Sequence, residues 1–478
     1  MRSWWRSQRR RNVADDGTPT HTGGTVDTTA VTGPAEAAGP PFGEPPEPLT
    51  PPITAGSTAS RDTPRILRAL THRNYRLFFG GQTTSLVGTW ITRVATSWLV
   101  YRLTGSAFLL GVVGFCGQIP TLALSPIAGV WVDRWNRHRI LVVTQILSML
   151  QSLALALLVF THTVTVAHII ALQIVQGVIN AFDTPARQAF VVEMVEDRAD
   201  LPNAIALNST MVNGSRIIGP SIAGVLIAAV GEGWCFMVDA ISYLAVIASL
   251  FAMRLIPIER TRPTTRVMDE MRDGFQYVAR SVPIRSVLLL LALVATMGMP
   301  YTVLMPAIAA QTLHGGPNTL GLLMTATGVG AVAGALYLAS RQSVLGLWRV
   351  MAIATLTFGV GLVLFSFSRN LWTSVALLML VGAGFMVETA STNTILQTIV
   401  DERLRGRVMA FYTMAFLGTA PIGSLIAGIL AARLGATTTV MLGGIACSIG
   451  GVWFATQLPT LRRHVRPIYE RAGILPAQ

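Results

Sequence analysis

From residue 77 onward, apolar residues come in long runs broken by short polar, glycine- or proline-containing connections. The runs cover 77–101, 107–132, 140–160, 166–182, 204–230 and 234–252, then 287–310, 320–339, 350–367, 371–396, 408–432 and 437–455. A helix rising 1.5 Å per residue needs about 20 apolar residues to cross the hydrocarbon of a bilayer, and most of the runs reach or approach that length. The pattern predicts an all-α membrane protein with twelve transmembrane helices. One sizeable gap, Arg254 to Arg285, carries Pro257 and Pro263 and splits the spans six and six. Inside it, residues 267–279 alternate apolar and polar positions at helical spacing, which predicts an amphipathic surface helix. The expected organisation is a disordered tail at 1–65, a six-helix bundle at 66–256, a linker at 257–285, a second bundle at 286–456 and a second tail at 457–478.

Composition agrees with lipid as the solvent: 51% of residues are hydrophobic, 12% are charged, and the mean hydropathy is +0.54. The net charge of +13 and pI near 10.8 would suit nucleic acid if the cations formed one stripe on a soluble domain. They lie instead in short clusters between apolar runs, so no nucleic-acid partner is expected. Only Arg102, Arg369 and Arg433 fall at connections after odd-numbered spans, and Arg93 and Arg216 fall inside spans. The other basic residues lie in the tails or after even-numbered spans, which puts both termini in the cytoplasm by the positive-inside rule. The expected location is the inner or plasma membrane.

All 36 basic residues are arginine, a bias that a high-GC coding sequence explains. Without lysine there is no P-loop and no Schiff-base amine, and no H-E-x-x-H metal pair is present, so an enzyme is not expected. Cys116, Cys235 and Cys447 lie in or beside spans without metal-ligand spacing and read as packed thiols. The first tail opens with Trp4, Trp5 and clustered arginines suited to an anionic lipid surface, and lacks the apolar core of a signal peptide.

The halves resemble each other. At a constant offset, Gly177, Asp183 and Val195-Glu196-Asp197-Arg198 of the fourth span and its loop answer to Gly382, Glu388 and Val400-Asp401-Glu402-Arg403 of the tenth. A duplicated six-helix unit is the architecture of secondary transporters, with the path between the halves.

The loop after the second span sets Asp133 beside a cluster of arginines at a helix end, a contact that one conformation can make and another break. Here the chain resembles the major facilitator superfamily, whose hallmark is G-x-L-A-D-R-x-G-R-K. Gly129, Asp133, Arg134 and Arg137 match in register, while Trp131, Asn136 and His138 depart from it. Asn136 stands where the pattern has glycine and is expected to preserve the turn by tolerating a positive φ. In the fifth span, Gly219-Pro220 amid small residues predicts a kink with close helix approach. It also looks like the antiporter motif of exporters in that superfamily. The segments RNYRLFFGGQTTSLVGTW, NAFDTPARQAFVVEMV, LPNAIALNS and DERLRGRVMA are similar to the bacterial branch that includes the enterobactin exporter and macrolide efflux proteins. That resemblance implies proton-driven export of a siderophore, drug or other amphipathic metabolite.

Only Asp183, Asp239 and Glu388 are acidic residues in or at the edge of spans. An intramembrane charge costs at least about 2.5 kcal/mol, and arginine cannot release its proton, so any titrating role falls to these carboxylates. Asp183 ends a polar stripe of Gln173, Gln176 and Asn180, and its alternative role is an ion pair with Arg187. Glu388 has no arginine nearby in sequence and is the first choice for proton carrier. Asp239, in a span that supports from outside the cavity in this superfamily, reads as a packing or pairing residue. Arg93 and Arg216 can bind an anionic group, hold a carboxylate charged, or form a structural ion pair. The expectation is a monomeric proton-coupled exporter without metal or cofactor. An uptake permease of the same fold, or a membrane sensor that has lost transport, remain as alternatives.

Overall fold

The computed structural model describes residues 65–195, 198–254, 267–341 and 343–471; the first tail, most of the segment before residue 267 and the last seven residues lie outside them. We number the helices in chain order. The first half comprises α1 (Arg73–Thr104), α2 (Ala107–Arg134), α3 (Arg137–Phe160), α4 (Val166–Met194), α5 (Leu201–Val230) and α6 (Glu232–Ala252). A surface helix, α7 (Val267–Arg280), precedes the second half. That half comprises α8 (Val282–Thr312), α9 (Pro317–Ala339), α10 (Leu347–Phe367), α11 (Leu371–Ile399), α12 (Glu402–Leu434) and α13 (Ala436–Arg471). The last helix runs on past residue 456, so 457–471 is helical, and Leu461, Val465 and Tyr469 are buried against the second bundle.

Eleven of these helices are long and apolar enough to cross a membrane; α1 falls short. Its 32 residues include Gln82, Ser85, Thr89, Thr92, Arg93 and Thr96, yet it packs along α5 and α6 as a full member of the first bundle. The polar residues that lower its hydropathy face protein: Gln82, Ser85 and Thr96 are buried. The lipid-facing surface is supplied by exposed side chains such as Val225, Phe251, Leu336, Phe367, Trp372 and Ile449, a belt too large for a water-soluble chain.

The repeat is visible in the turns and in the packing. Gly231 ends the fifth span and Gly435 the eleventh, both with φ of 87°, a conformation open to glycine at little cost. Gly177 lets α4 pack on α2, where an added Cβ would lie 2.6 Å from the carbonyl oxygen of Gly117. Its counterpart Gly382 lets α11 pack in the same way on the backbone of α9 at Thr327 and Ala331.

The two bundles share one core at one end and keep separate cores at the other. At the end with few arginines, Ile91, Leu99, Leu110 and Ile227 of the first half form a continuous buried cluster with Tyr301, Met305, Leu320 and Phe358 of the second. Glycines carry this junction. A Cβ on Gly111 of α2 would lie 2.7 Å from Cα of Gly428 of α12, and one on Gly321 of α9 would lie 2.8 Å from Cα of Gly224 of α5. At the arginine-rich end, Tyr75, Phe78, Ile140, Phe190 and Met194 form a core confined to the first bundle. There Ile284, Leu288, Trp348, Ile395 and Phe454 form one confined to the second. Among the described residues, one hydrophobic core thus crosses the seam at one end, and two separate cores flank it at the other.

Candidate transport path

Arg93 and Arg216 meet on the seam. Arg93 of α1 stacks on the indole of Trp90, one turn earlier, with its guanidinium carbon 4.6 Å from the ring centroid. Arg216 of α5 reaches the same indole at 5.3 Å. Gly219, one turn beyond Arg216, makes this possible by seating α5 directly on the Trp90 Cβ. The second bundle closes on the pair: Tyr301 of α8 faces Arg216 and Thr327 of α9. A Cβ on Gly328 would come within 3.2 Å of the Arg216 carbonyl oxygen. The Arg93 side chain is exposed, whereas Arg216 is half-buried. Nε of Arg216 is buried without a hydrogen-bond partner.

Among the described residues, no carboxylate lies within ion-pair distance of Arg93 or Arg216. The sequence left open whether these arginines serve a carboxylate of the chain, and among the described residues none is paired with them in this conformation. A cation over an indole gains about 0.5–2 kcal/mol, less than the about 2.5–3.5 kcal/mol that one arginine costs at mid-membrane. Stacking therefore orients the two guanidiniums without compensating both charges.

Asp183 is occupied. Thr144 Oγ1 and Gln145 Nε2, both on α3, donate to its Oδ1 at 2.9 and 2.8 Å, and Arg187 lies 3.7 Å from Oδ2. The ion pair weighed against coupling in the sequence is therefore present. Gln176 donates to Ser148 of α3 at 3.3 Å and to Asn180 at 3.2 Å, so this part of the α4 stripe turns into the first bundle toward α3, while Gln173 lies against Gly117 of α2. Tyr243 of α6 stands between Asp183 and Asp239, with its hydroxyl 3.5 Å from Thr89 Oγ1. Asp239 accepts from Ser152 at 2.7 Å, and its other oxygen is buried beside Gly88 and Thr92 of α1.

Glu388 is fully buried inside the second bundle and does not line the seam in this conformation. Thr392 donates to its Oε1 at 3.2 Å, and Oε2 has no hydrogen-bond partner. Tyr412 of α12 and Cys447 of α13 are its electrostatic neighbours.

At the loop after α2, Arg137 donates to Glu193 of α4 at 2.8 Å, tying the loop to its own bundle. Arg134 is exposed, and a Cβ on Gly129 would meet nothing within 4 Å, as fits the end with two separate cores. The side chain of Asp133 lies outside the described residues. Asn136 corrects one expectation: its φ is −70°, so no positive φ is needed. Its side chain instead accepts from Arg139 N–H at 3.2 Å and caps α3, a task glycine could not perform. Through Pro220, α5 continues unbroken from Leu201 to Val230.

Sequence reasoning missed Trp90, Tyr301 and the α3 partners. Thr144, Gln145, Ser148, Gln151 and Ser152 are all buried and recur on one face of an otherwise apolar span, a signal that was present in the periodicity. Nothing local marked Trp90 or Tyr301, whose role depends on which helices cross.

Comparison with known proteins agrees with this architecture. Residues 66–467 match the family model described as transmembrane secretion effector. The staphyloferrin A transporter of Staphylococcus aureus is 28% identical over 378 residues, covering 78% of this chain and 93% of that one. The multidrug efflux pump Tap of Mycolicibacterium fortuitum is 29% identical, covering 79% and 94%. Macrolide efflux protein A of Streptococcus pyogenes is 23% identical, covering 78% and 94%. Among solved structures, a bacterial homologue of the human lysosomal transporter Spinster, inward-facing and occupied, superposes with a TM-score of 0.65 at 14% identity, covering 82% and 98%. The nucleoside transporter NupG gives 0.64 at 12% identity, covering 81% and 99%. With the match spanning both bundles, the chain belongs to the transmembrane secretion effector family of the major facilitator superfamily and is a multi-pass membrane transporter.

Proposed function

We propose that this transporter is a monomeric secondary exporter that uses the proton gradient to move a small amphipathic molecule out of the cytoplasm by alternating access. The observation that carries the reading is the seam: one core shared by both bundles at the arginine-poor end, two separate cores at the arginine-rich end. With the arginine-rich end cytoplasmic, the opening faces the cytoplasm and the closed end faces outward. Rocking the bundles about the Trp90 region would exchange the two, as expected for paired six-helix repeats. Two of the relatives reported above are named as efflux proteins, which favours export over uptake.

Glu388 is the proposed proton carrier. Asp183 already has an arginine and two donors, whereas Glu388 has one hydroxyl donor and a free oxygen in an apolar interior. A repacking of α11 against α10 and α13 during the cycle would open and close its access to protons. In everted vesicles, energisation is expected to drive accumulation of the cargo, and depletion would mean uptake instead. Glu388→Gln protein, folded and inserted, is expected to lose proton-driven accumulation while keeping downhill exchange. Wild-type rate and proton dependence in that variant would remove Glu388 from the mechanism.

A further inference from the structure

We infer that the seam holds an anion site, built from Arg93, Arg216 and Trp90 of the first bundle and faced by Tyr301 of the second, and that the cargo carries a carboxylate or phosphate group. The inference rests on the transporter reading above and names the substrate class of that site. Both guanidiniums are permanently charged and planar, with forked donors that match a carboxylate or phosphate in two parallel hydrogen bonds. They share one indole, so they are held together despite like charge. Arg93 is exposed, Nε of Arg216 is buried and unpartnered, and no carboxylate of the described chain neutralises either. Such a pair is incomplete until an anion enters.

Position gives the site its consequence for transport. Arg93 and Arg216 belong to the first bundle, whereas Tyr301 belongs to the second and faces Arg216 across the seam, with Thr327 of the same bundle at its side. An anion bound there touches both moving parts and has different contacts when the bundles rock. That differential contact is what a ligand needs to shift a two-state equilibrium.

The same chemistry could come from a soluble organic anion or from an anionic lipid headgroup entering the parted seam, and the test separates them. The purified full chain is placed in nanodiscs of phosphatidylcholine alone, and its melting temperature is followed against 2-naphthoate and against the cation 2-naphthylmethylamine. Naphthoate is expected to stabilise saturably and the amine is not. Arg93→Gln and Arg216→Gln should each weaken naphthoate binding at least tenfold. Arg216→Lys, which keeps the charge and loses the fork, should fall between, and Arg349→Gln, an exposed control, should bind as wild type. Equal response to both probes, or undiminished binding in both glutamine variants, overturns the proposal. Stabilisation that appears only with phosphatidylglycerol assigns the site to a headgroup and overturns the cargo assignment. Because binding is read without a gradient, a protein that binds naphthoate but moves nothing would refute the exporter reading and leave the site standing.

Discussion

Adding one methyl group at Gly111 should push the transporter out of the conformation described here. A Cβ at this position would lie 2.6 Å from the carbonyl oxygen of Ser424 and 2.7 Å from Cα of Gly428, both main-chain atoms of α12. Carbon contacts are comfortable at about 3.5–4.0 Å, so the α2 and α12 axes must separate by about 1 Å, and no side-chain rotation can absorb the conflict. Overpacking of this kind costs about 1–3 kcal/mol. The cost applies only while this end of the seam is closed, because once the bundles part there the methyl group meets open space. Gly111→Ala is therefore expected to move the equilibrium about 5- to 150-fold toward the opposite state. Spin labels at Thr163, in the connection between α3 and α4, and Arg369, between α10 and α11, report on it by pulsed EPR. Both positions are exposed, and the label chemistry needs Cys116 replaced, since Cys235 and Cys447 are buried. The distance distribution should gain or enlarge a long component, with distances inside each bundle unchanged. A distribution identical to that of the parent protein would refute the claim that these glycines form the closed end.

Two further outcomes test the supporting charges. Asp183→Asn should keep the Thr144 and Gln145 hydrogen bonds to its carbonyl oxygen and lose the ion pair with Arg187. A drop of about 1–2 kcal/mol in stability with proton-dependent transport retained is expected, and loss of that dependence would return Asp183 to the coupling role. At the arginine-poor end, Arg102 holds Glu232 through two contacts of 2.7 and 3.2 Å. Arg102→Ala leaves a nearly buried carboxylate unpaired and should cost about 1–3 kcal/mol by thermal melting, whereas the double variant with Glu232→Gln should recover most of it.

The difference between Asp183 and Glu388 shows how much of the site was legible. The offset between the halves paired them, and the residue four positions later already separates them: Arg187 follows Asp183, Thr392 follows Glu388. A helix places that residue on the same face, so the ion pair and the lone hydroxyl both follow from a local rule, and both occur. The direction in which the α4 stripe points does not follow, because Gln176 and Asn180 could have faced the seam as easily as α3. Asn136 shows a limit of another kind, since the same residue serves a turn or a cap and only its φ tells which.

By itself the sequence determined an all-α membrane fold of about twelve spans, the amphipathic helix at 267–280 and the presence of charges inside the spans. These rest on span length, helical period and composition, all carried by neighbouring residues. Tertiary structure decided that α1 turns its polar residues onto protein and packs along α5 and α6, and that the bundles share a core at one end only. It also brought Arg93 and Arg216 onto one indole. Those outcomes depend on which glycines let which backbones touch, a choice made between helices far apart in the chain and therefore invisible to any rule of spacing.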